Sequence, residues 1–228
     1  MKSKKKASKR RTASRANHAT LTDRAYSELE EIIVTLQIPP GTVLSERTLM
    51  QRLKIGRTPT REALQRLAHD GLVVIIPRRG IMVSEINLQK QFRLLEVRRE
   101  IERLMARLAA ERANDEERKE FAELAKNMLK AAKSADDMEF MRLDQRFNSL
   151  IADAAHNEFA RRSIGLMNAT SRRFWHQQHQ QVADLPLAAT LHAEVAKAIS
   201  EHNSKAAADA SDRLIDYIED FARKTLDA

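Results

Sequence analysis

Cysteine is absent from the 228 residues, which excludes a disulfide framework and thiol chemistry and fits a reducing cytosol. Glycine occurs five times and aromatic side chains make up only 4%, a composition that favours helices over sheets. No run approaches the roughly 18 consecutive apolar residues that a membrane-spanning helix needs. The basic N-terminus is followed by no apolar core segment, so it does not read as a secretory signal. Acidic residues are missing from residues 1–20, which hold eight Lys/Arg. Residues 21–86 hold nine basic and eight acidic residues, and residues 87–228 hold 23 and 24. The formal charge of +8 therefore sits in the first twenty residues. What remains is 43% hydrophobic and 32% charged, the balance of a soluble globular protein, and cytoplasmic localisation is expected.

The segment "MKSKKKASKRRTASRANHAT" reads as a disordered arm attracted to polyanions, or as a plain solubilising leader. Residues 21–86 read as a first domain. Thr22 can cap a helix reaching about Gln37, with Ala25, Leu29, Ile32, Ile33 and Leu36 on one face. "IPPGTVL" breaks it, and Thr42–Leu44 reads as a short extended piece. Ser45 can cap a second helix, "SERTLMQRL". "KIG" is a tight turn, and Thr58 can cap a third helix with Pro59 at its first position. After Asp70-Gly71 the period changes. "LVVII", "PRRG" and "IMVS" read as a β-hairpin with Arg78 and Arg79 at its tip.

Helix, helix-turn-helix and basic hairpin in about 65 residues is the winged-helix pattern. It explains why "GRTPTREALQRL" puts cations on the first turn of a helix, against the helix dipole. The front of the second helix of a helix-turn-helix enters the major groove. There Arg57, Thr58 and Arg61 would face phosphates and base edges, while Arg47, Arg78 and Arg79 would hold the backbone. A cation at a helix N-terminus costs roughly 0.3–1 kcal/mol, less than the roughly 1–3 kcal/mol of one good bidentate base contact. The stretch "LSERTLMQRLKIGRTPTREALQRLAHDGLVVIIPRRGIMV" closely resembles the N-terminal domain of the GntR superfamily of bacterial transcription regulators. That resemblance implies DNA contacts by Arg47, Arg57, Thr58 and Arg61, with Gly80 letting the wing approach the DNA backbone. Two positions depart from the family pattern: Gly56 stands where serine is usual, and Thr60 replaces an apolar residue.

Residues 87–228 contain no convincing strand. Six helical segments, at about 88–112, 115–133, 136–155, 157–181, 186–201 and 204–226, predict an antiparallel all-α bundle. Pro186 opens the fifth, and Ser204 can cap the sixth. "LLEVRREIERLMARLAAERA", "LDQRFNSLIADAAHN" and "LHAEVAKAI" resemble, in order, parts of the FCD domain, the effector-binding domain of the FadR branch of GntR regulators. Many FCD domains hold a metal with one aspartate and three histidines. Carried over by position, these fall on Asp144, Asn148, His192 and Leu214. Two ligands of four do not make a dependable zinc or nickel site, so no metal cofactor is expected. The expected state is a metal-free cavity with His192 as a hydrogen-bonded interior histidine.

The resemblance implies a small effector, a carboxylate or related metabolite, with Arg98, Asp144, Asn148 and His192 as effector-binding positions. Arg98 could fork onto a carboxylate or pair with Glu102, four residues on. "RRFWHQQHQQ", with Arg172, Arg173, Trp175, His176 and His179, reads as a ligand mouth or a solvated helix end. The expected protein is thus no enzyme but a homodimeric, sequence-specific repressor of transcription that binds a double-stranded DNA operator under metabolite control and associates with no membrane. The alternative is a non-sensing DNA-binding protein whose bundle only dimerises. An enzyme built on Asp144 and His192 lacks both a nucleophile–base pair and a complete ligand set.

Overall fold

The computed structural model describes residues 20–134, 136–182 and 184–225, without the side chains of residues 137 and 179–182. The basic arm, apart from Thr20, and the His179 side chain lie outside the described residues. Among the described residues there are nine helices and three short strands, and no helix is long and apolar enough to cross a membrane.

The winged unit opens with α1 (Leu21–Val34). Its cap is Thr20, not Thr22: the Thr20 side chain accepts from Asp23 N–H and Asp23 returns the bond, closing a capping box. Thr22, two residues into the helix, instead donates its hydroxyl to Glu62. The helix also ends before Gln37, because Leu36 turns into the left-handed region at φ 60°. Ser45 caps α2 (Glu46–Leu53) by accepting from Thr48 N–H. The third helix, α3 (Arg57–His69), is capped by Gly56 with no side-chain bond. This moves Pro59 to the third helical position, where the missing N–H still costs no intrahelical bond.

The end of α3 is fixed by a Schellman arrangement. Leu72 N–H bonds to Leu67 O and Gly71 N–H to Ala68 O, with Gly71 at φ +75°. Two strands follow, β2 (Val73–Ile76) and β3 (Gly80–Val83), which pair antiparallel. The extended piece after α1 becomes β1 (Val43–Leu44) and joins the other edge of β3, so the sheet order is β1-β3-β2. Ala25, Leu29, Leu49, Leu67 and Val83 are each at most 2% exposed in the core these elements share.

Six helices follow: α4 (Leu88–Arg112), α5 (Asp115–Ser134), α6 (Asp137–Ala154), α7 (Glu158–Val182), α8 (Leu185–Ser200) and α9 (Ser204–Lys224). Asn203, not Ser204, caps α9 by accepting from Ala206 N–H. Asp184 caps α8, with Pro186 in its first turn. α5 lies against α8, and α4 and α8 lie against α9. Alanines such as Ala109, Ala196 and Ala207, all fully buried, let these backbones approach closely. Phe121, Met128 and Ile199 fill the space between them.

The two units are joined by more than the chain. Ala169, on α7, is 2% exposed and belongs to the winged unit's core cluster. Its neighbour Arg173 donates to the Ser84 carbonyl in the segment leading to α4.

Candidate DNA interface and ligand cavity

The front of α3 carries Arg57, Thr58 and Arg61 on its exposed side, while Ala63, Leu64 and Leu67 are buried behind them. The first turn of α3 contains no acid. The acid comes from the neighbouring helix: Glu46 lies 3.6 Å from Arg57 Nε and 3.3 Å from Arg61 Nε. Glu46 sits in the first turn of α2, where the dipole favours it, so one carboxylate serves both helices. Both guanidinium groups remain more than half exposed and available to a polyanion. The sequence reading passed over Glu46, although it stands inside "LSER", because α2 and α3 must be docked before its reach is evident.

Gly56 and Thr60, the two departures from the family pattern, become intelligible together. Thr60 is fully buried. Its hydroxyl donates to the Gly56 carbonyl at 2.9 Å, so its polar atom is satisfied locally. A Cβ at Gly56 would meet nothing within 4 Å, so space does not demand glycine there.

Arg47 is exposed on the outer side of α2. At the wing tip Arg78 and Arg79 are exposed, and Arg79 N–H bonds to Ile76 O across the turn at 3.0 Å. Arg78 adopts φ 63°, a position where glycine or asparagine is the comfortable choice. Gly80, at φ +111°, is required by the protein's own fold. A Cβ there would stand 2.5 Å from the Leu44 carbonyl oxygen of β1.

Inside the bundle is a cavity of about 390 Å³, within the size range of small-ligand pockets. Arg98, Asp144, Asn148 and His192 all line it, so four positions on three helices, α4, α6 and α8, converge. Arg98 is paired with Glu102 at 2.5 Å and also donates to the Ser171 hydroxyl. Both readings of Arg98 therefore meet in one residue, which is ion-paired and in the cavity wall. Gln91 lies beside this group, 3.4 Å from Ser171, with its Oε1 buried and without a hydrogen-bond partner.

Asp144 gathers two of the four positions around one oxygen. Its Oδ1 lies 2.9 Å from His192 Nε2 and accepts from Asn148 Nδ2 at 3.0 Å. The other ring nitrogen of His192 is 2.8 Å from the Ala188 carbonyl. The imidazole stands edge-on to the rings of Phe140 and Phe147 at 5.5 and 5.6 Å. Burial by itself would raise the Asp144 carboxyl, but the His192 bond and charge, helped by Arg98 and Arg172, hold it below the usual range. Burial would likewise lower His192, yet the Asp144 bond and charge and the Ala188 carbonyl push it up. Both shifts favour the charged form of each partner, and both ring nitrogens face acceptors.

That geometry does not suit a divalent metal. Both histidine nitrogens are engaged, Asn148 replaces one ligand, and Leu214, 3% exposed, fills the last position with hydrocarbon. Among the described residues no three His, Cys, Asp or Glu side chains come together as a metal site.

The cavity wall is not made by the bundle alone. Tyr26 and Glu30 of α1 close one end, beside Arg172 and Trp175 of α7. Arg172, Phe174 and Trp175 of "RRFW" thus line the cavity, while Arg172 and Arg173 also reach the winged unit. Sequence reasoning missed Tyr26 and Glu30 altogether, since nothing in α1 marks a helix that will cap a cavity built more than sixty residues later.

A winged helix-turn-helix with exposed arginines on its second helix, followed by a helical bundle with an internal cavity, defines the class of DNA-binding regulators with a ligand-binding domain. Residues 21–83 match the family model of bacterial regulatory proteins of the gntR family, and residues 93–217 match the FCD domain. The chain belongs to this family of GntR transcription regulators with a C-terminal FCD domain. It is 27% identical over 199 residues to the HTH-type transcriptional repressor RspR of Escherichia coli, covering 87% of each chain. It is 29% identical over 164 residues to the Nta operon transcriptional regulator of Aminobacter aminovorans, covering 67% of this chain and 77% of that one. The fold matches that of E. coli McbR/YncC with a TM-score of 0.77, at 17% identity over 92% of this chain and all of the other.

Proposed function

We propose that this protein is a cytoplasmic repressor that binds a palindromic operator as a homodimer and is controlled by a small organic acid held in the bundle cavity without a metal. The observation that carries the reading is the cavity itself. It has the volume of a small metabolite and sets the cations Arg98, Arg172 and His192 in its wall. Its wall includes Tyr26 and Glu30 from α1 of the DNA-binding unit. Arginine's planar fork suits a carboxylate at this kind of site. A two-fold dimer presents two recognition helices, and so reads a sequence with the same symmetry.

A second reading has its own support. Each of these cations already has an internal carboxylate partner, so the bundle can be satisfied without a ligand and serve dimerisation alone. Thermal shift against a panel of organic acids, paired with electrophoretic shift on a DNA fragment selected from a random pool, separates the two. The sensing reading expects at least one acid to stabilise the protein and to change its DNA affinity. No stabilisation by any acid, with DNA affinity unaffected, supports the dimerisation-only reading instead.

A further inference from the structure

Besides the exposed Arg161–Asp153 pair, three ion pairs border the cavity. Arg98–Glu102 and His192–Asp144 lie wholly within the bundle. The third crosses between units: Arg172 of α7 lies 3.2 Å from Glu31 and 3.8 Å from Glu30, both on α1. Its geometry is also the loosest. Arg98 is held at 2.5 Å by Glu102 and again by Ser171, with its side chain 10% exposed, whereas the Arg172 side chain is 25% exposed. Of these three, Arg172 is therefore the cation whose partners an entering anion exchanges most easily.

We propose that the domain-facing end of the cavity is an anion subsite centred on Arg172, where a ligand carboxylate replaces Glu30 and Glu31. Ligand occupancy and the docking of α1 on α7 then compete for one guanidinium. This rests on the reading of the cavity as an organic-acid site and adds how that site is regulated.

The consequences follow from charge. Glu30 is mostly buried, and burial raises its pKa against the pull of Arg172, with Glu31 and Asp70 adding negative charge nearby. Once Arg172 turns to a ligand, two adjacent carboxylates face a third without their cation, and α1 is repelled from the bundle. α1 in turn is bound to the recognition helix. Thr22 donates to Glu62, Arg66 pairs with Asp23 at 2.8 Å, and the Tyr26 hydroxyl donates to Asp70 at 2.7 Å. The Arg66 guanidinium also covers the Tyr26 ring at 4.3 Å. α1 and α3 therefore move as a body. Ala169 in the winged core and Arg173 on Ser84 remain as the pivot.

The test uses the full chain, with lactate, malate and citrate as probes, and compares the parent, Glu30→Gln/Glu31→Gln and Arg172→Gln by calorimetric titration. Glutamine keeps the shape of glutamate and removes the competing charge. A carboxylate that binds the parent is expected to bind the Glu30→Gln/Glu31→Gln protein at least about fivefold tighter, the lower end of ordinary site-to-site coupling. It is expected to lose about tenfold or more on Arg172→Gln, which removes a charge-assisted bond. Hydrogen exchange of residues 21–34 should rise on adding that carboxylate to the parent, and be high already and unresponsive in the double variant. Equal carboxylate affinity for the parent and the double variant overturns the subsite while leaving the cavity reading intact. Absence of carboxylate binding to all three proteins overturns both.

Discussion

The two halves of this protein hold their charges in opposite ways. In the winged unit the arginines stand outward, supported from behind by a neutral core, and Arg57 and Arg61 share a single acid, Glu46. In the bundle, beneath a surface of exposed ion pairs, a smaller set of ionic groups turns inward and pairs around a cavity. The first arrangement leaves positive potential for a polyanion. The second leaves little net charge, so a ligand there gains by exchanging partners rather than by filling a bare site. Desolvation explains the contrast: an exposed unpaired cation is solvated by water, while an unpaired buried one costs several kcal/mol.

The largest effect that would break this comparison lies in the bundle. Asp144→Asn leaves His192 buried without its counter-charge, and is expected to cost about 3 kcal/mol in denaturant unfolding at neutral pH. The pH dependence should change sign as well. In the parent, the raised His192 contributes stability below its unfolded pKa near 6.5, and loses it as pH rises through the folded value. The lowered Asp144 contributes above about pH 4 and loses its share as pH falls further. The parent's melting temperature should thus decline from mildly acidic to alkaline pH. In Asp144→Asn, burial, the largest influence on His192, is opposed only by the Ala188 carbonyl and the charge of Glu102, so stability should rise over that range. An unchanged decline would show that the pair does not govern the titration.

In the winged unit Arg61→Ala should weaken binding to the preferred DNA sequence by roughly 1–3 kcal/mol, with a smaller loss on random DNA. Equal losses on both would reduce Arg61 to a phosphate contact. Arg78→Asn should separate folding from binding. Relief of the left-handed backbone should stabilise the protein by about 0.5–1 kcal/mol. Loss of the charge should lower the salt dependence of DNA binding by about one counterion. Gly56→Ser should have the smallest effect, a gain of about a few tenths of a kcal/mol from capping α3. Stability loss there would contradict the open space found around Gly56.

The same contrast governs what could be read from the sequence. The helix-turn-helix and wing were legible because their signals are local: Ser45 as a cap, Asp70-Gly71 as a helix stop, and β-branched runs either side of "PRRG". The six bundle helices were legible from their periodicity to within about two residues at most ends. The helix caps at Thr20, Gly56 and Asn203 were missed by one or two positions because neighbouring Ser or Thr residues offer equivalent local chemistry. What the sequence could not display was convergence. Asp144, Asn148 and His192 came from family spacing, but the meeting of Asn148 and His192 on one oxygen of Asp144 depends on how α6 and α8 dock. The pairing of Arg172 with α1, and the capping of the cavity by Tyr26 and Glu30, depend on contacts between residues more than 140 apart.

The central claim is that the inward-turned half governs the outward-turned one. The most direct test is to measure the affinity of the protein for its selected DNA sequence with and without a carboxylate that raises its melting temperature. A change of at least about fivefold in that affinity, with random-sequence binding little altered, is the predicted result. Thermal stabilisation by the carboxylate with no change in DNA affinity would contradict the account.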